Sequence, residues 1–332
     1  MQMEKIMNEG LNALALEKEI SAELKRLTTD NIRTSLFNLV FFYKDKEEYI
    51  IEKILDYLFG KRPARIIHIQ NCPKKNTSGY VKVRCYPDSE DKQVCFQEII
   101  IQNGQDGIGI ALGTWVPMLI HEIPIVVLWF DSLDPYPDIL KPISGVADKM
   151  IFCTEWNETL QENPITVCSK LAKNLIPHSD FIVSDLTWLK ILGMREAAAS
   201  FFDPPEMRPN LQKLQKVVMT GSSVSEALLF FLWLCSRLDW KLAEAETPEL
   251  KFHTPKNTII TAQIKKQEKK QVLFITTDGQ NFKIDFKQSA FRDRIEKPFL
   301  CSLDNQKQLL AELDSLEPDL LYYQALKAIK DG

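Results

Sequence analysis

The feature that most constrains this chain is a rhythm of short apolar runs and amphipathic, helix-length segments between residues 19 and 173, opening with Ile20, Leu24 and Leu27 at helical spacing. "PIVVLWF" (124–130) is the sharpest instance, with six apolar residues after Pro124 and no polar interruption. Such a run suits a strand covered on both faces, since a half-solvated strand would alternate. "SLFNLVFFY" (35–43), "ARIIHIQ" (64–70), "CFQEIIIQN" (95–103) and "KMIFCTEW" (149–156) read as further strands. "GYVKVRCYP" (79–87) does alternate, with Val81, Val83 and Cys85 on one face, so it reads as half-exposed. "DKEEYIIEKILDYLFG" (45–60) puts Ile50, Ile54 and Leu58 on one helical stripe before a glycine stop. "ALGTWVPMLIHE" (111–122) reads as a helix with an internal proline, and a further helix is expected near 157–173. Alternation of this kind predicts an α/β domain with a mixed sheet, in which the hairpin-like stretch at 79–103 supplies the antiparallel part.

Pro177 breaks the pattern in "KNLIPHSD" (173–180), which marks a domain boundary. The second half opens with "SDLTWLKILGMREAAASFFD" (184–203), read as a helix, and a strand "KVVMTG" (216–221). In "SSVSEALLFFLWLCSRLDW", Ser223 and Glu226 match a capping box, and the helix beyond is apolar nearly all round, so it should be buried. "NTIITAQIKK", "KQVLFITTDG" and "QNFKIDF" read as an antiparallel meander, with Asp278-Gly279 as one turn and "KKQEKK" (265–270) as a solvated hairpin tip or, less readily, a basic docking loop. Two helices, about 304–315 and 318–330, close the chain. The expected organisation is a poorly committed N-terminus (1–18), an N-terminal α/β domain (19–176) and a C-terminal α+β domain containing the meander (177–332).

A formal net charge of −4 argues against a general grip on nucleic acid or anionic lipid. The longest apolar run, Ala227 to Cys235, is far short of the roughly 20 residues that span a bilayer. Seven cysteines, an odd number without a CxxC pair, do not make a secreted disulfide framework. The first residues lack the apolar core of a signal peptide. The expectation is a cytoplasmic protein with reduced thiols and neither nucleic-acid nor membrane partners.

The most enzyme-like stretch is "EIIIQNGQDGIGIALG" (98–113), in which a strand runs into Gly104, Gly107, Gly109 and Gly113, with Asp131 ending the next strand. Glycines there could bring backbone N–H groups to a pyrophosphate and the acid to a ribose. Against this, the strand is not the first of the sheet and Pro117 disturbs the helix a phosphate would need, so a packing turn is the plainer reading. His68, Cys72, Cys85 and Cys95 match no metal-ligand spacing; no metal is expected, and His68 reads as a core histidine. Four dispersed histidines and the lack of G-x-S-x-G leave no nucleophile constellation. Arg62 and Arg65 bracket Pro63 and suit a local ion pair or, less simply, a phosphate or acidic partner. At 100° per residue Trp188, Leu192 and Arg195 share a stripe, while Lys190 points elsewhere. An aromatic beside an Arg stem fits either an interface or a core from which the Arg reaches solvent.

Four pieces in order, "RPARIIHI" (62–69), "WVPMLIHEIPIVVLWF" (115–130), "SDLTWLKILGMREAAASFFD" and "ALLFFLWLCSRLDW" (227–240), resemble the glucose-6-phosphate dehydrogenase assembly proteins, the OpcA family. Pro63, Arg65, Pro124, Trp129, Asp185, Trp188, Arg195, Trp233 and Arg237 fall on the family's patterns. Phe130, Lys190 and Met194 depart from them, and Lys for Arg at 190 loses bidentate recognition of carboxylate or phosphate. The resemblance implies a non-catalytic protein without a cofactor that binds glucose-6-phosphate dehydrogenase, promotes its active oligomer and supports NADPH production in the oxidative pentose phosphate pathway. It makes Asp185, Trp188, Lys190, Arg195 and Arg65 candidates for the partner interface. The alternative is a nucleotide- or sugar-phosphate-binding enzyme using the glycine turn at 104–113.

Overall fold

The computed structural model describes residues 3–6, 18, 22, 35–45, 48–58, 61–72, 76–87, 93–105, 107–133, 140–175, 181–286 and 303–330. The chain forms two compact units. Unit 1 comprises residues 1–152, 179–183 and 300–316, and unit 2 comprises 153–178, 184–299 and 317–332. The chain thus enters unit 2 at Cys153 and returns to unit 1 twice.

Unit 1 is built on a sheet ordered β1-β4-β5-β3-β2-β6-β7-β8. Its strands are β1 (Met3–Ile6), β2 (Phe37–Lys44), β3 (Ala64–Asn71), β4 (Ser78–Pro87), β5 (Gln93–Asn103), β6 (Ile125–Phe130), β7 (Lys149–Phe152) and β8 (Ile182–Asp185). β5, β3, β2, β6 and β7 are parallel, while β4 joins β5 and β1 joins β4 in antiparallel fashion. Counted along the chain, the five parallel strands lie in the order third, second, first, fourth, fifth, so the winding reverses between β2 and β6. That is the doubly wound order of dinucleotide-binding sheets. Phe37 through Tyr43 are all buried, as a strand covered on both faces requires. Helix α1 (Glu48–Leu58) buries Ile50, Ile51, Ile54, Leu55 and Leu58. "ALGTWVPM" forms only a four-residue helix, α2 (Leu112–Trp115), and a 3-10 turn (Val116–Met118), because Pro117 cannot continue the helical ladder. α3 (Leu140–Ser144) follows.

Unit 2 begins where the expected strand 149–156 gives way to helix at Cys153: α4 (Thr154–Thr159), then α5 (Pro164–Lys170) and a π turn (Leu171–Leu175). The quoted helix 184–203 is two helices, α6 (Leu186–Lys190) and α7 (Leu192–Phe202), broken at fully buried Ile191. α8 (Arg208–Leu211) leads to a sheet ordered β10-β11-β12-β9-β13-β14. Its strands are β9 (Leu214–Thr220), β10 (Lys241–Glu246), β11 (Glu249–His253), β12 (Ile259–Lys265), β13 (Gln271–Thr276) and β14 (Asn281–Asp285). The meander is therefore β10, β11 and β12. β12 and β13 do not pair, because β9 lies between them, parallel to β12 and antiparallel to β13. Residues 265–270 consequently form no hairpin tip; they cross the end of β9, where Thr220 Oγ1 donates to the Lys269 carbonyl at 2.8 Å. The core is α9 (Val224–Arg237), buried without interruption from Ser225 to Cys235 and opened by the Ser223/Glu226 capping box. It packs against α11 (Leu320–Lys330), α4 and α6. α10 (Leu303–Asp314) belongs to unit 1.

Candidate functional site

The signature segment 184–203 is built from the inside of unit 2. Asp185, 1% exposed, caps α6 by accepting from Thr187 N at 2.8 Å, and it also accepts from the start of α4, through Thr154 N at 3.1 Å and the Thr154 hydroxyl. Tyr322 Oη on α11 donates to it at 3.3 Å. One carboxylate thereby ties three helices. Burial pushes it above the usual carboxylate range, against the pull of the Thr154 and Thr187 bonds.

Trp188 is 1% exposed; its Nε1 donates to Asp319 Oδ2 at 2.6 Å, and Asp319 Oδ1 in turn caps α11 through Leu321 N and Tyr322 N. Arg195, 5% exposed, lies over the indole at 3.6 Å, and its Nη2 donates weakly to the Trp188 carbonyl at 3.4 Å. Burial lowers it to about 10. Of the two readings left open for this pair, the structure shows a core contact. Lys190 faces elsewhere: its Nζ lies 2.8 and 2.7 Å from the Glu155 oxygens and 3.0 Å from Glu226 Oε1, which also meets Lys270 Nζ at 2.8 Å. Burial alone would lower Lys190, but Glu226 and Glu155 outweigh it and hold it above its ordinary value. The outward side chains of the segment include Leu192, 40% exposed, and Glu196. Arg65 is half-buried on β3.

The glycine turn follows β5, the third parallel strand, not the first. Its amides are engaged: Gly104 N donates to Thr77 Oγ1 at 2.9 Å and Ile110 N to Asn103 Oδ1 at 3.2 Å. Gly107 has a φ of 68°, and a Cβ on Gly109 would lie 2.8 Å from Asn103 Cα, so these two glycines answer to conformation and packing. Gly113 falls in four-residue α2, too short to present a helix terminus to a phosphate. At the reversal point of the sheet the strand ends are tied together. Asp131 lies 3.4 Å from Lys44 Nζ and accepts from Asn71 Nδ2 at 3.2 Å. Between β2 and α1 the sequence reads Asp45-Lys46-Glu47, without the glycines that admit a pyrophosphate.

A second constellation lies in unit 1, where a sheet–helix interface would ordinarily be apolar. Cα pairing sets Lys82 opposite Glu98, and Tyr80 and His68 each opposite Ile100, so these side chains share one face. Arg84 bonds both Glu98 and Glu52 of α1 and reaches Asp56 at 3.0 Å; Lys82 reaches Glu52 at 2.9 Å. Gln102 donates to Gln70 at 3.0 Å, and Gln70 donates to Glu48 at 3.4 Å. Tyr43 Oη is 3.2 Å from His68 Nδ1. Hydroxyl, imidazole and carboxylate so aligned resemble a relay, yet Tyr43 is 1% exposed and burial pushes its hydroxyl far above its ordinary value, so it is no nucleophile. Sequence reading named His68 but missed Glu98, Arg84, Lys82 and Glu52. The i, i+4, i+8 carboxylates Glu48, Glu52 and Asp56 were the available signal.

Burial pushes Cys153 and Cys168 well above the ordinary thiol value, and Cys235 to about 12, so these three are thiols at neutral pH. Among the described residues no group of three or more His, Cys, Asp or Glu is arranged to hold a metal ion. No described helix is long and apolar enough to cross a membrane.

Comparison with known proteins places both halves of the chain. Residues 56–173 match the family model described as the glucose-6-phosphate dehydrogenase subunit N-terminal domain, and residues 182–326 match the model of its C-terminal domain. A Synechococcus elongatus protein provisionally named OxPP cycle protein OpcA is 23% identical over 221 residues, covering 61% of this chain and 47% of that protein. A Nostoc punctiforme protein of the same provisional name is 24% identical over 197 residues, covering 57% and 41%. The match thus spans less than half the length of these relatives. Among solved structures, an oxidoreductase from Sinorhizobium meliloti aligns over 89% of this chain and 95% of that one at 7% identity and a TM-score of 0.45. GenD2 from gentamicin A biosynthesis, in complex with NAD, aligns over 91% and 95% at 8% identity and a TM-score of 0.42. Likeness this slight carries nothing about activity.

Proposed function

The chain belongs to the OpcA family of glucose-6-phosphate dehydrogenase subunit proteins, and from that premise we propose that it is a non-catalytic assembly factor and allosteric activator of that dehydrogenase. It binds the enzyme, favours the active oligomer and so supports NADPH production in the oxidative pentose phosphate pathway. The observation that carries this reading is the ordered match of both family domains along one chain. The tied strand ends at Lys44, Asn71 and Asp131, where a dinucleotide would enter a sheet of this order, support a binding role over hydride transfer.

The mechanism is linkage: a protein that binds the active oligomer better than the inactive form shifts the population by its differential affinity, and a swing from 1:99 to 99:1 takes about 5.5 kcal/mol. Asp185, Trp188 and Arg195 act as positioning residues, while the exposed side of α7, from Leu192, meets the dehydrogenase. Mixed with the matching dehydrogenase, the protein should co-elute with it on size exclusion with light scattering, enlarge the oligomer and lower the substrate concentration needed for half-maximal rate. Separate elution with unchanged kinetics at excess would refute the reading.

A further inference from the structure

We propose that a cavity beneath α1 in unit 1 is a binding site for a single hydroxyl group, with His68 as its donor and Glu98 as its acceptor. The cavity measures about 50 Å³ and is lined by Tyr43, Glu52, His68, Tyr80, Lys82 and Glu98, among others. His68 is 3% exposed and Glu98 1%. His68 Nε2 and Glu98 Oε2 stand 3.5 Å apart, beyond an N–H···O bond, and neither has a hydrogen-bond partner among the described residues. Two buried polar atoms left idle side by side are costly in a packed interior unless something joins them.

Their chemistry selects the occupant. We take the Tyr43 hydroxyl, 3.2 Å from His68 Nδ1, as the donor of that bond, which leaves a ring hydrogen on Nε2. Glu98 is an acceptor: burial pushes its carboxyl up, but His68, Arg84 and Lys82 outweigh this and hold it below the ordinary range. The bridging group must therefore accept from N–H and donate to a carboxylate. A hydroxyl does both, whereas an ammonium cannot accept and a carboxylate cannot donate. A metal ion is disfavoured because Lys82 Nζ already stands 3.9 Å from Glu98 Oε2. Since a water needs roughly 10–15 Å³ of such space, the cavity has room for water or a very small alcohol.

The test is a high-resolution crystal structure of the full chain in two arms, one grown without alcohols and one soaked in ethylene glycol. Density within about 3.2 Å of both His68 Nε2 and Glu98 Oε2 is expected. A water in both arms identifies a hydration site, and replacement by the diol identifies a small-alcohol site; each supports the proposal. An empty cavity, or a direct His68–Glu98 bond in both arms, overturns it. The His68→Phe variant, which preserves an aromatic ring against Phe41, should lose the bridging density; unchanged density there counts against the site. Should that variant fail to fold, ¹⁵N spectra of the wild-type histidines decide the polarity, and hydrogen on Nδ1 of His68 would overturn it.

Discussion

The guanidinium of Arg195 lies 3.6 Å above the indole of Trp188, and both side chains are closed inside unit 2. Arg195 Nε has no hydrogen-bond partner among the described residues, so the side chain contributes through packing more than through its charge. Arg195→Met, which keeps the stem, should therefore stay within about 1 kcal/mol of wild type in urea unfolding. Arg195→Ala, which leaves a void beside the ring, should lose about 2–3 kcal/mol. The opposite ranking would make the charge the important part.

Asp185 joins the starts of α4 and α6 to Tyr322 of α11. Asp185→Ala removes two helix caps and strands buried hydroxyls, and should cost about 3 kcal/mol or more, measured by chemical unfolding. Asp185→Asn should cost about half as much, since one acceptor oxygen remains and the hydroxyls can rotate to accept from the amide.

The polar layer of unit 1 predicts an acid limb. Burial tends to raise Glu98, but its neighbours His68, Arg84 and Lys82 hold its folded value below the ordinary 4.5. A depressed carboxylate contributes stability that is complete above its unfolded value and is lost as pH falls through the folded one. Glu98→Gln should cost about 1–3 kcal/mol at pH 7 by taking a buried carboxylate from Arg84, which keeps Glu52 and Asp56, and the gap to wild type should narrow as pH falls below 4.5. Unfolding midpoints across pH 3 to 7 measure this; a constant gap would remove Glu98 from the acid limb.

Lys149 is fully buried on β7, and its Nζ donates to the carbonyls of Glu312 and Ser315 at 2.8 Å each, closing the end of α10. Lys149→Met should cost about 2–3 kcal/mol, because those carbonyls lose a charged donor. Hydrogen exchange should quicken along 303–314 before it does elsewhere in unit 1.

Leu192 is exposed, so Leu192→Glu should leave the melting temperature nearly unchanged. If α7 meets the dehydrogenase, the same change should weaken complex formation about tenfold or more in titration calorimetry. Undiminished affinity would move the interface elsewhere.

Much of this architecture was legible locally. The unbroken apolar runs of β2 and β6, the stripe of α1 and the Ser223/Glu226 box each record an environment in a few adjacent residues. What escaped was pairing at a distance. β12 and β13 are five residues apart, but β9, formed some forty residues earlier, intervenes, and no local pattern encodes a third strand between two neighbours. The polar layer escaped for a related reason. Lys82, Glu98 and Glu52 look like unremarkable surface charges until the β4–β5 register and the seat of α1 bring them together.

The sequence by itself determined the α/β class, the order of elements and the family, because these reside in periodicity, caps and side-chain identity at fixed spacing. It also placed Trp188 and Arg195 on one stripe, since helical geometry alone does that. Only the tertiary structure decided that Trp188 and Arg195 face inward while Leu192, expected on the same stripe, is exposed past the break at Ile191, and that Asp185 and Asp319 take up their neighbours' free donors. A helical period states which side chains share a face; which face loses its water depends on what else folds against it.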